Sequence, residues 1–252
     1  MFIKYLPYAA LGLLLSFHSH AADSNAVNIA GQQRMLSQRI VKSYCQIGLN
    51  ILPEVSRKQL EQSIETFDKN LLKLTPVASS PRAKASLDSL HSAWEPLRRN
   101  ARGEVKASVA ETLDRQAEAV LQAAEQLTSE LQDQSSPPIG RWVNTAGRQR
   151  MLSQRLTKAY MLRQWGVDSA EKRQEIESAV HEFSSALTSM QQRPENSPTI
   201  RAQLSELGIQ WEWLRTALAS EGASNYRLIV AESSDVVLEL ADRVTAQFAL
   251  EK

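Results

Sequence analysis

A seventeen-residue segment occurs twice in this chain, and the duplication constrains the fold more than any other feature. Residues 28–44 read NIAGQQRMLSQRIVKSY, and residues 144–160 read NTAGRQRMLSQRLTKAY, with twelve identical positions at an offset of 116. The apolar positions that follow also correspond, since Leu60, Ile64 and Phe67 are matched by Ile176, Val180 and Phe183. The chain is therefore expected to contain two copies of one structural module.

Apolar residues in both halves recur at alternating spacings of three and four, which places them on one stripe of an α-helix. The clearest run is Leu113, Ala117, Val120, Ala124, Leu127 and Leu131. Short segments rich in turn-forming residues interrupt the pattern three times in each half, and short connections make successive helices antiparallel. The sequence predicts an all-α fold of two tandem up-down-up-down four-helix modules, at residues 28–133 and 144–250.

Two aspects of this architecture have alternatives. A single long coiled coil is the other way to use such a pattern, but the prolines in the interruptions disfavour it. The two modules can pack side by side or extend through a continuous helix near Gln134 to Arg141, and the sequence leaves both arrangements open.

The N-terminal residues have the pattern of a secretory signal peptide. Lys4 is the basic residue, Ala9 to Phe17 form a short apolar stretch, and Ser19 and Ala21 are small residues before a cleavage point. Residues 1–21 are therefore predicted to be removed, and the mature protein is predicted to be periplasmic. The alternative is an uncleaved membrane anchor, although a span needs roughly 20 apolar residues.

Composition and motifs argue against several classes of function. The 29 basic and 28 acidic residues nearly balance, which excludes general binding to nucleic acid. Outside the predicted signal, His91 and His181 stand alone without metal-ligand spacing. No nucleophile elbow, P-loop or dinucleotide fingerprint occurs. We therefore expect no enzyme, catalytic residue, metal or cofactor, and the single cysteine, Cys45, is expected to be buried and inert.

The repeated segment presents two faces when it is drawn as a helix. At about 100° per residue, one face holds the residues predicted to enter the module core, namely Ile29, Leu36, Ile40 and Ile47. The opposite side, here called the shared face, is identical in both copies. It consists of Gly31, Arg34, Met35, Gln38 and Lys42, matched by Gly147, Arg150, Met151, Gln154 and Lys158. A solvated face should have drifted, so the shared face is predicted to contact something specific.

The residue types of the shared face suit a small anion. Glycine permits close approach, arginine offers a planar donor fork, and glutamine and methionine add neutral donors and an apolar wall. If the two first helices pack about a pseudo-twofold axis, Arg34 and Arg150 converge, and an anion between them offsets their repulsion. The residues predicted to bind the ligand are Gly31, Arg34, Met35 and Gln38, with their counterparts Gly147, Arg150, Met151 and Gln154. The alternative for both arginines is a structural or oligomer-interface role.

Neighbouring charged residues are assigned supporting or structural roles. Arg39 and Arg155 are predicted to pair with carboxylates on adjacent helices. Lys42 and Lys158 are predicted to be solvated charges at the rim of the site.

Two pairs of polar residues are expected to act on the helix itself. Ser37 and Ser153 are predicted to bond the preceding helical turn. Asn28 and Asn144 are predicted to be N-caps or to lie just outside the helix.

The segments AGQQRMLSQRIVKSY and AGRQRMLSQRLTKAY resemble the signature of the PilJ-type domain, named for the periplasmic part of the type IV pilus methyl-accepting transducer. Their G-x-x-R-M-x-S-x-R core is also similar to the ligand box of nitrate/nitrite sensor kinases of the NarX/NarQ type. In those sensors one anion binds between the first helices of two subunits, held by the box arginines. The resemblance implies that Arg34 and Arg150 are anion ligands, that Gly31 and Gly147 permit the approach, and that one polypeptide supplies both halves.

Two hypotheses for function follow. The first is a soluble periplasmic module that binds nitrate, nitrite or a comparable anion, since the flanking membrane helices and cytoplasmic region of such sensors are not evident in the sequence. The second is an interaction protein whose shared face docks on a pilus-associated transducer or a membrane-bound sensor with the same domain. A homo-oligomer is compatible with either hypothesis.

Overall fold

A computed structural model describes residues 11–134, 139–220 and 224–250 of the chain. All regular structure in these ranges is helical, so the all-α prediction is confirmed. The helices found there are α1 (Leu11–Gly48), α2 (Pro53–Leu74), α3 (Pro81–Ala101), α4 (Ala107–Gln134), α5 (Ile139–Gln164), α6 (Ala170–Gln191), α7 (Pro198–Ala219) and α8 (Ser224–Leu250). The first four belong to one module and the last four to the other.

The helix boundaries follow local chemistry. Pro53, Pro81 and Pro198 begin α2, α3 and α7, where the missing backbone N–H costs no helical hydrogen bond. Ser80 and Ser197 cap α3 and α7 with their side chains. These helix starts lie at the turn-forming interruptions that the sequence predicted.

Successive helices are antiparallel, as the contacts between α1 and α2 show. Asn70 donates a hydrogen bond to Gln32 towards one end of the pair, and Ser56 donates to Gln46 towards the other. Residues near the end of one helix therefore meet residues near the start of the next.

Each module has an aromatic contact between its second and third helices. Phe67 stacks on Trp94 with ring centroids 3.8 Å apart, and Phe183 stacks on Trp211 at 3.9 Å. Both tryptophans are almost fully buried, so each stack is part of the core of its module. The same packing at corresponding positions shows that the two copies fold alike.

The modules pack side by side through their first helices, α1 and α5, which make the most extensive contact between any two helices. The rings of Tyr44 and Trp165 meet at one end, with centroids 5.9 Å apart, and Asn28 bonds Arg150 towards the other. The two helices are therefore parallel. A methyl group on Gly48 would lie well inside van der Waals contact with the Trp165 ring, so this close approach requires glycine.

The first helix of each module starts earlier than the sequence predicted. Because α1 begins at Leu11 and α5 at Ile139, Asn28 and Asn144 lie inside helices, and their predicted role as N-caps is wrong. Residues 1–10 of the predicted signal peptide lie outside the described residues, and the rest of it belongs to α1. Among the described helices, none combines the length and hydropathy needed to cross a bilayer.

Candidate ligand site between the first helices

The shared face of each first helix is buried where α1 and α5 meet. All ten of its residues are buried, and Arg34, Arg150, Lys42 and Lys158 are at most 1% exposed. The expectation that this face contacts something specific therefore agrees with the structure, since it packs against its own twin and against α4 and α8. The two lysines were predicted to be solvated, and that prediction is wrong.

The two arginines of the shared face converge on the glycines one turn before them. A Cβ atom on Gly31 would lie 3.0 Å from Nη2 of Arg34 and 3.8 Å from Nη2 of Arg150. The same two distances are found around Gly147, with the arginines exchanged. Both guanidinium groups thus approach one point near each glycine, which is the near-twofold convergence expected from the sequence.

Arg34 makes one bond within its module and one across to the other module. Its Nη1 donates to Oε2 of Glu125 on α4 at 2.7 Å, and its Nη2 donates to Oδ1 of Asn144 on α5 at 2.7 Å. The other oxygen of Glu125 accepts from Arg148 at 2.9 Å. Glu125 therefore neutralises charge from both modules.

Arg150 repeats this arrangement from the other side of the pseudo-twofold axis. Its Nη1 donates to Oδ1 of Asp242 on α8 at 2.6 Å, and its Nη2 donates to Oδ1 of Asn28 on α1 at 2.8 Å. The two asparagines, which were expected to cap helices, instead join each module to the arginine of the other. The acceptors that a bound anion was expected to supply are present in the protein itself.

Burial and charge oppose each other in this cluster. Burial lowers the pKa of Arg34, the attraction of Glu125 raises it, and the nearby cations Arg148 and Arg150 lower it further. Burial raises the pKa of Glu125, but the attraction of Arg34 and Arg148 outweighs burial and brings this pKa below its ordinary value. Arginine remains protonated in proteins at neutral pH, so the site holds permanent charges in a desolvated setting.

Several buried polar atoms of the site have no hydrogen-bond partner among the residues that the structure describes. They are Nε of Arg34, Nε of Arg150, Oε1 of Gln38 and Oε1 of Gln154. The glutamine amide nitrogens are engaged, since Gln38 donates to the hydroxyl of Ser37 and Gln154 donates to the hydroxyl of Ser234. Unsatisfied buried groups are uncommon in folded proteins, and they are where water or a ligand binds.

The serines of the repeated segment behave as predicted. The hydroxyl of Ser37 donates to the carbonyl oxygen of Arg34 at 2.8 Å, and that of Ser153 donates to the carbonyl oxygen of Arg150 at 2.9 Å. These bonds hold each serine against the turn that carries the arginine.

The buried lysines are paired with carboxylates of the opposite module. Lys42 on α1 lies 2.6 Å from Asp235 on α8, and Lys158 on α5 lies 2.6 Å from Glu118 and 2.7 Å from Asp114 on α4. Burial lowers the pKa of both lysines. For Lys42 the pKa stays below its ordinary value, whereas several carboxylates raise that of Lys158 above it. Their solvation by water is replaced by ion pairs across the interface.

Arg39 and Arg155 were predicted to pair with carboxylates on adjacent helices. This prediction is confirmed for Arg155 and wrong for Arg39. Arg155 donates to Glu118 at 2.8 Å and to Glu175 at 3.1 Å. Arg39 makes no hydrogen bond or ion pair within the described part of the chain, although Asp235 attracts it through space.

Sequence reasoning missed the carboxylates of the last helix in each module. Glu118 and Glu125 on α4 correspond to Asp235 and Asp242 on α8, at an offset of 117. An acidic residue at both positions in both copies was the available signal. It was overlooked because acidic residues on helices are usually solvated.

The described residues contain no cluster of His, Cys, Asp and Glu suited to a metal ion. Cys45 is fully buried, as expected, and burial raises the pKa of its thiol. The thiol therefore stays protonated, the form in which sulfur is a poor nucleophile.

Comparison with known families identifies one match. The family model described as the N-terminal domain of the type IV pili methyl-accepting chemotaxis transducer, PilJ, matches residues 16–134 and again residues 134–232. No curated protein and no solved structure matches the chain.

Proposed function

Because this chain belongs to the PilJ family, with two consecutive copies of the domain, we propose that it binds a small oxyanion such as nitrate or nitrite between its two modules. The family is one of sensory domains that act in signal transduction rather than in catalysis. One polypeptide then supplies both halves of the site, and the protein acts as a non-enzymatic receptor. The convergence of Arg34 and Arg150 at the buried interface is the observation that supports this proposal.

The free edge of each guanidinium group suits a planar oxyanion. Nη1 of each arginine is held by a carboxylate. Within the described ranges, Nη2 is bound only by a neutral amide oxygen and Nε has no partner. An anion can accept from Nε and Nη2 together, which is the geometry of the strong bidentate pairs. A charged acceptor is also stronger than an amide oxygen for the same donor. We therefore expect the ligand to displace the side chains of Asn28 and Asn144, and not the carboxylates.

This exchange offers a route from binding to signalling. Each asparagine bond joins α1 to α5 directly, so replacing it with an anion changes how the two modules are held together. A ligand shifts a conformational equilibrium only by binding one arrangement better than another, and the displaced asparagines provide that difference. A membrane-bound sensor or a pilus-associated transducer is the proposed partner that senses the change.

The shared face itself is not available as a docking surface for such a partner. Its residues are buried between α1 and α5, so a partner that used this face would have to separate the modules. Partner contact is therefore assigned to another surface.

The experiment that tests ligand binding is isothermal titration calorimetry of the purified protein with nitrate, nitrite and chloride. We expect heat of binding with one oxyanion, lost in Arg34→Gln and in Arg150→Gln. Arg115→Gln is the matched control because Arg115 lies exposed on α4, paired with Glu111. If neither nitrate nor nitrite binds, or if both variants retain binding while circular dichroism shows them folded, the anion proposal is wrong.

Location in the periplasm is part of the proposal and rests on the pattern of residues 1–21. We expect the protein in a periplasmic extract, with an N-terminus near Ala22 by mass spectrometry. Recovery from the cytoplasm with Met1 intact would contradict this location.

A further inference from the structure

Among the residues that the structure describes, Arg39 is the charged residue of the repeated segment that has no hydrogen-bonded or ion-paired partner. It lies partly buried on α1, and no described residue bonds its buried Nε. The carboxylate that attracts it is Asp235, whose Oδ1 accepts from Lys42 and whose Oδ2 accepts from Gln59. Arg39 is therefore a permanent cation beside a carboxylate whose two oxygens already bond other side chains.

The second copy of the module shows how the same position looks when it is satisfied. There Arg155 is bound by Glu118 and Glu175. Glu118 corresponds to Asp235, but Glu175 corresponds to Gln59, which carries no charge. Both first helices therefore carry an arginine at this position, but the first module has one carboxylate at the two neighbouring positions where the second module has two.

The cleft beside Arg39 differs from its counterpart in the same direction. It has a volume of about 370 Å³, lies along α2, and is lined by Arg39, Gln62, Ser63, Glu65, Thr66 and Lys69. Thr66 stands where the second module has Glu182, and Lys69 stands where it has Ser185. Glu65 opposes this trend, but it lies 3.4 Å from Lys69 and pairs with it. Glu65 itself stands where the second module has His181, so the cleft has as many acidic side chains as its twin and one more basic side chain, Lys69.

We propose that this cleft is a second binding site, which takes a small molecule carrying a carboxylate or phosphate group and holds it through Arg39. The guanidinium fork binds the oxyanion, while Thr66 and Gln62 supply neutral hydrogen bonds. This site is separate from the one between Arg34 and Arg150, because its other lining residues come from α2.

The far side of Arg39 limits the size and charge of the ligand. An adjoining cleft of about 380 Å³ shares Arg39 and Thr66 and is also lined by Asp235, Glu239 and Asp242 on α8. These carboxylates repel a second anionic group that extends past the arginine. The ligand is therefore a compact anion that enters from the α2 side.

Calorimetric titration with acetate, succinate and inorganic phosphate, each used alone, tests the second site. We expect at least one probe to bind the wild-type protein and to bind about tenfold or more weakly in Arg39→Gln, a loss of at least about 1.4 kcal/mol. Thr66→Glu adds a carboxylate to the lining of the cleft at an exposed position, and we expect it to compete with the ligand for Arg39, with the same loss of binding. Arg115→Gln is expected to bind as the wild type does.

The variant Arg34→Gln distinguishes the second site at Arg39 from the proposed nitrate or nitrite site between the modules. It is expected to abolish binding of nitrate or nitrite and to leave binding of the acetate, succinate or phosphate probe unchanged. Failure of all three probes to bind the wild-type protein, or undiminished binding in both Arg39→Gln and Thr66→Glu, would overturn the second site.

Discussion

Nη2 of Arg34 lies 2.7 Å from Oδ1 of Asn144, so a side chain of the first module is bonded to the first helix of the second. Its counterpart is the bond from Arg150 to Asn28 at 2.8 Å. These two bonds lie at the centre of the candidate site and are the contacts that an oxyanion is proposed to replace. The consequences for stability and for binding can therefore be tested with the same variants.

Removal of one asparagine should destabilise the protein in the absence of ligand. Asn144→Ala leaves a buried guanidinium N–H without an acceptor, which costs about 1–3 kcal/mol. We expect this decrease in the free energy of unfolding by urea denaturation. Thr145→Ala is the control, because the hydroxyl of Thr145 donates to the backbone of its own helical turn. If an anion takes the place of the amide oxygen, nitrate or nitrite should recover part of the loss. A variant as stable as the wild type in anion-free buffer would contradict the role assigned to Asn144.

The contact between Gly48 and Trp165 should make Gly48→Ala destabilising. The added methyl group overlaps the indole ring, which must move to admit it. Because Gly48 is exposed and Trp165 is only partly buried, we expect a cost at the low end of the range for overpacking, about 1 kcal/mol. In a protein that already carries Trp165→Ala, the ring is absent, so adding Gly48→Ala should lower the free energy of unfolding by much less than it does in the wild type. Urea unfolding of the four proteins measures this coupling. Strictly additive effects would show that the ring does not press on residue 48.

The sequence predicted the fold well because local chemistry determines where its helices begin. Pro53, Pro81 and Pro198 stop one helix and begin the next whatever the tertiary contacts are, and the three–four apolar spacing identifies the buried stripe. The helix starts near Asn28 and Asn144 were wrong for the same local reason. Asparagine is a common N-cap, and only the partner arginine in the other module shows why it lies inside a helix.

Burial of the shared face could not be predicted residue by residue. Lys42 looked like a solvated charge because the carboxylate that pairs with it, Asp235, is distant in sequence and belongs to the other module. The face was recognised as special only through its identity in the two copies. Its partners follow from how the modules pack, which periodicity within one helix does not encode.

The two buried lysines should differ in their importance for stability. Lys158 lies within ion-pair distance of Asp114, Glu118 and Glu175, whereas in the part of the chain that the structure describes Lys42 pairs with Asp235 alone. Lys158→Met leaves several partly buried carboxylates without their central cation, a change that costs about 3–5 kcal/mol when a buried pair is broken.

We expect a smaller loss in Lys42→Met, because it leaves behind a single carboxylate that is only partly buried and keeps its hydrogen bond from Gln59. Lys106→Met serves as the control, since that lysine is exposed. Chemical denaturation followed by circular dichroism gives the three values. Equal losses for the two buried lysines would show that the extra carboxylates around Lys158 contribute nothing.

The interface carboxylates should make the protein sensitive to acid. For Asp235, burial raises the pKa, but Lys42 and its hydrogen bonds outweigh burial and bring the pKa below its ordinary value; Glu125 and Glu175 behave in the same way. A carboxylate whose folded-state pKa is depressed adds stability above its unfolded pKa, about 4, and that stability is lost as the pH falls through the folded-state value. The free energy of unfolding should therefore decrease as the pH is lowered below about 4.

Asp235→Asn should reduce this dependence, whereas Asp88→Asn, on an exposed part of α3, should not. Urea unfolding at several pH values measures the slope, and an unchanged slope in Asp235→Asn would mean that this ion pair contributes no pH-dependent stability.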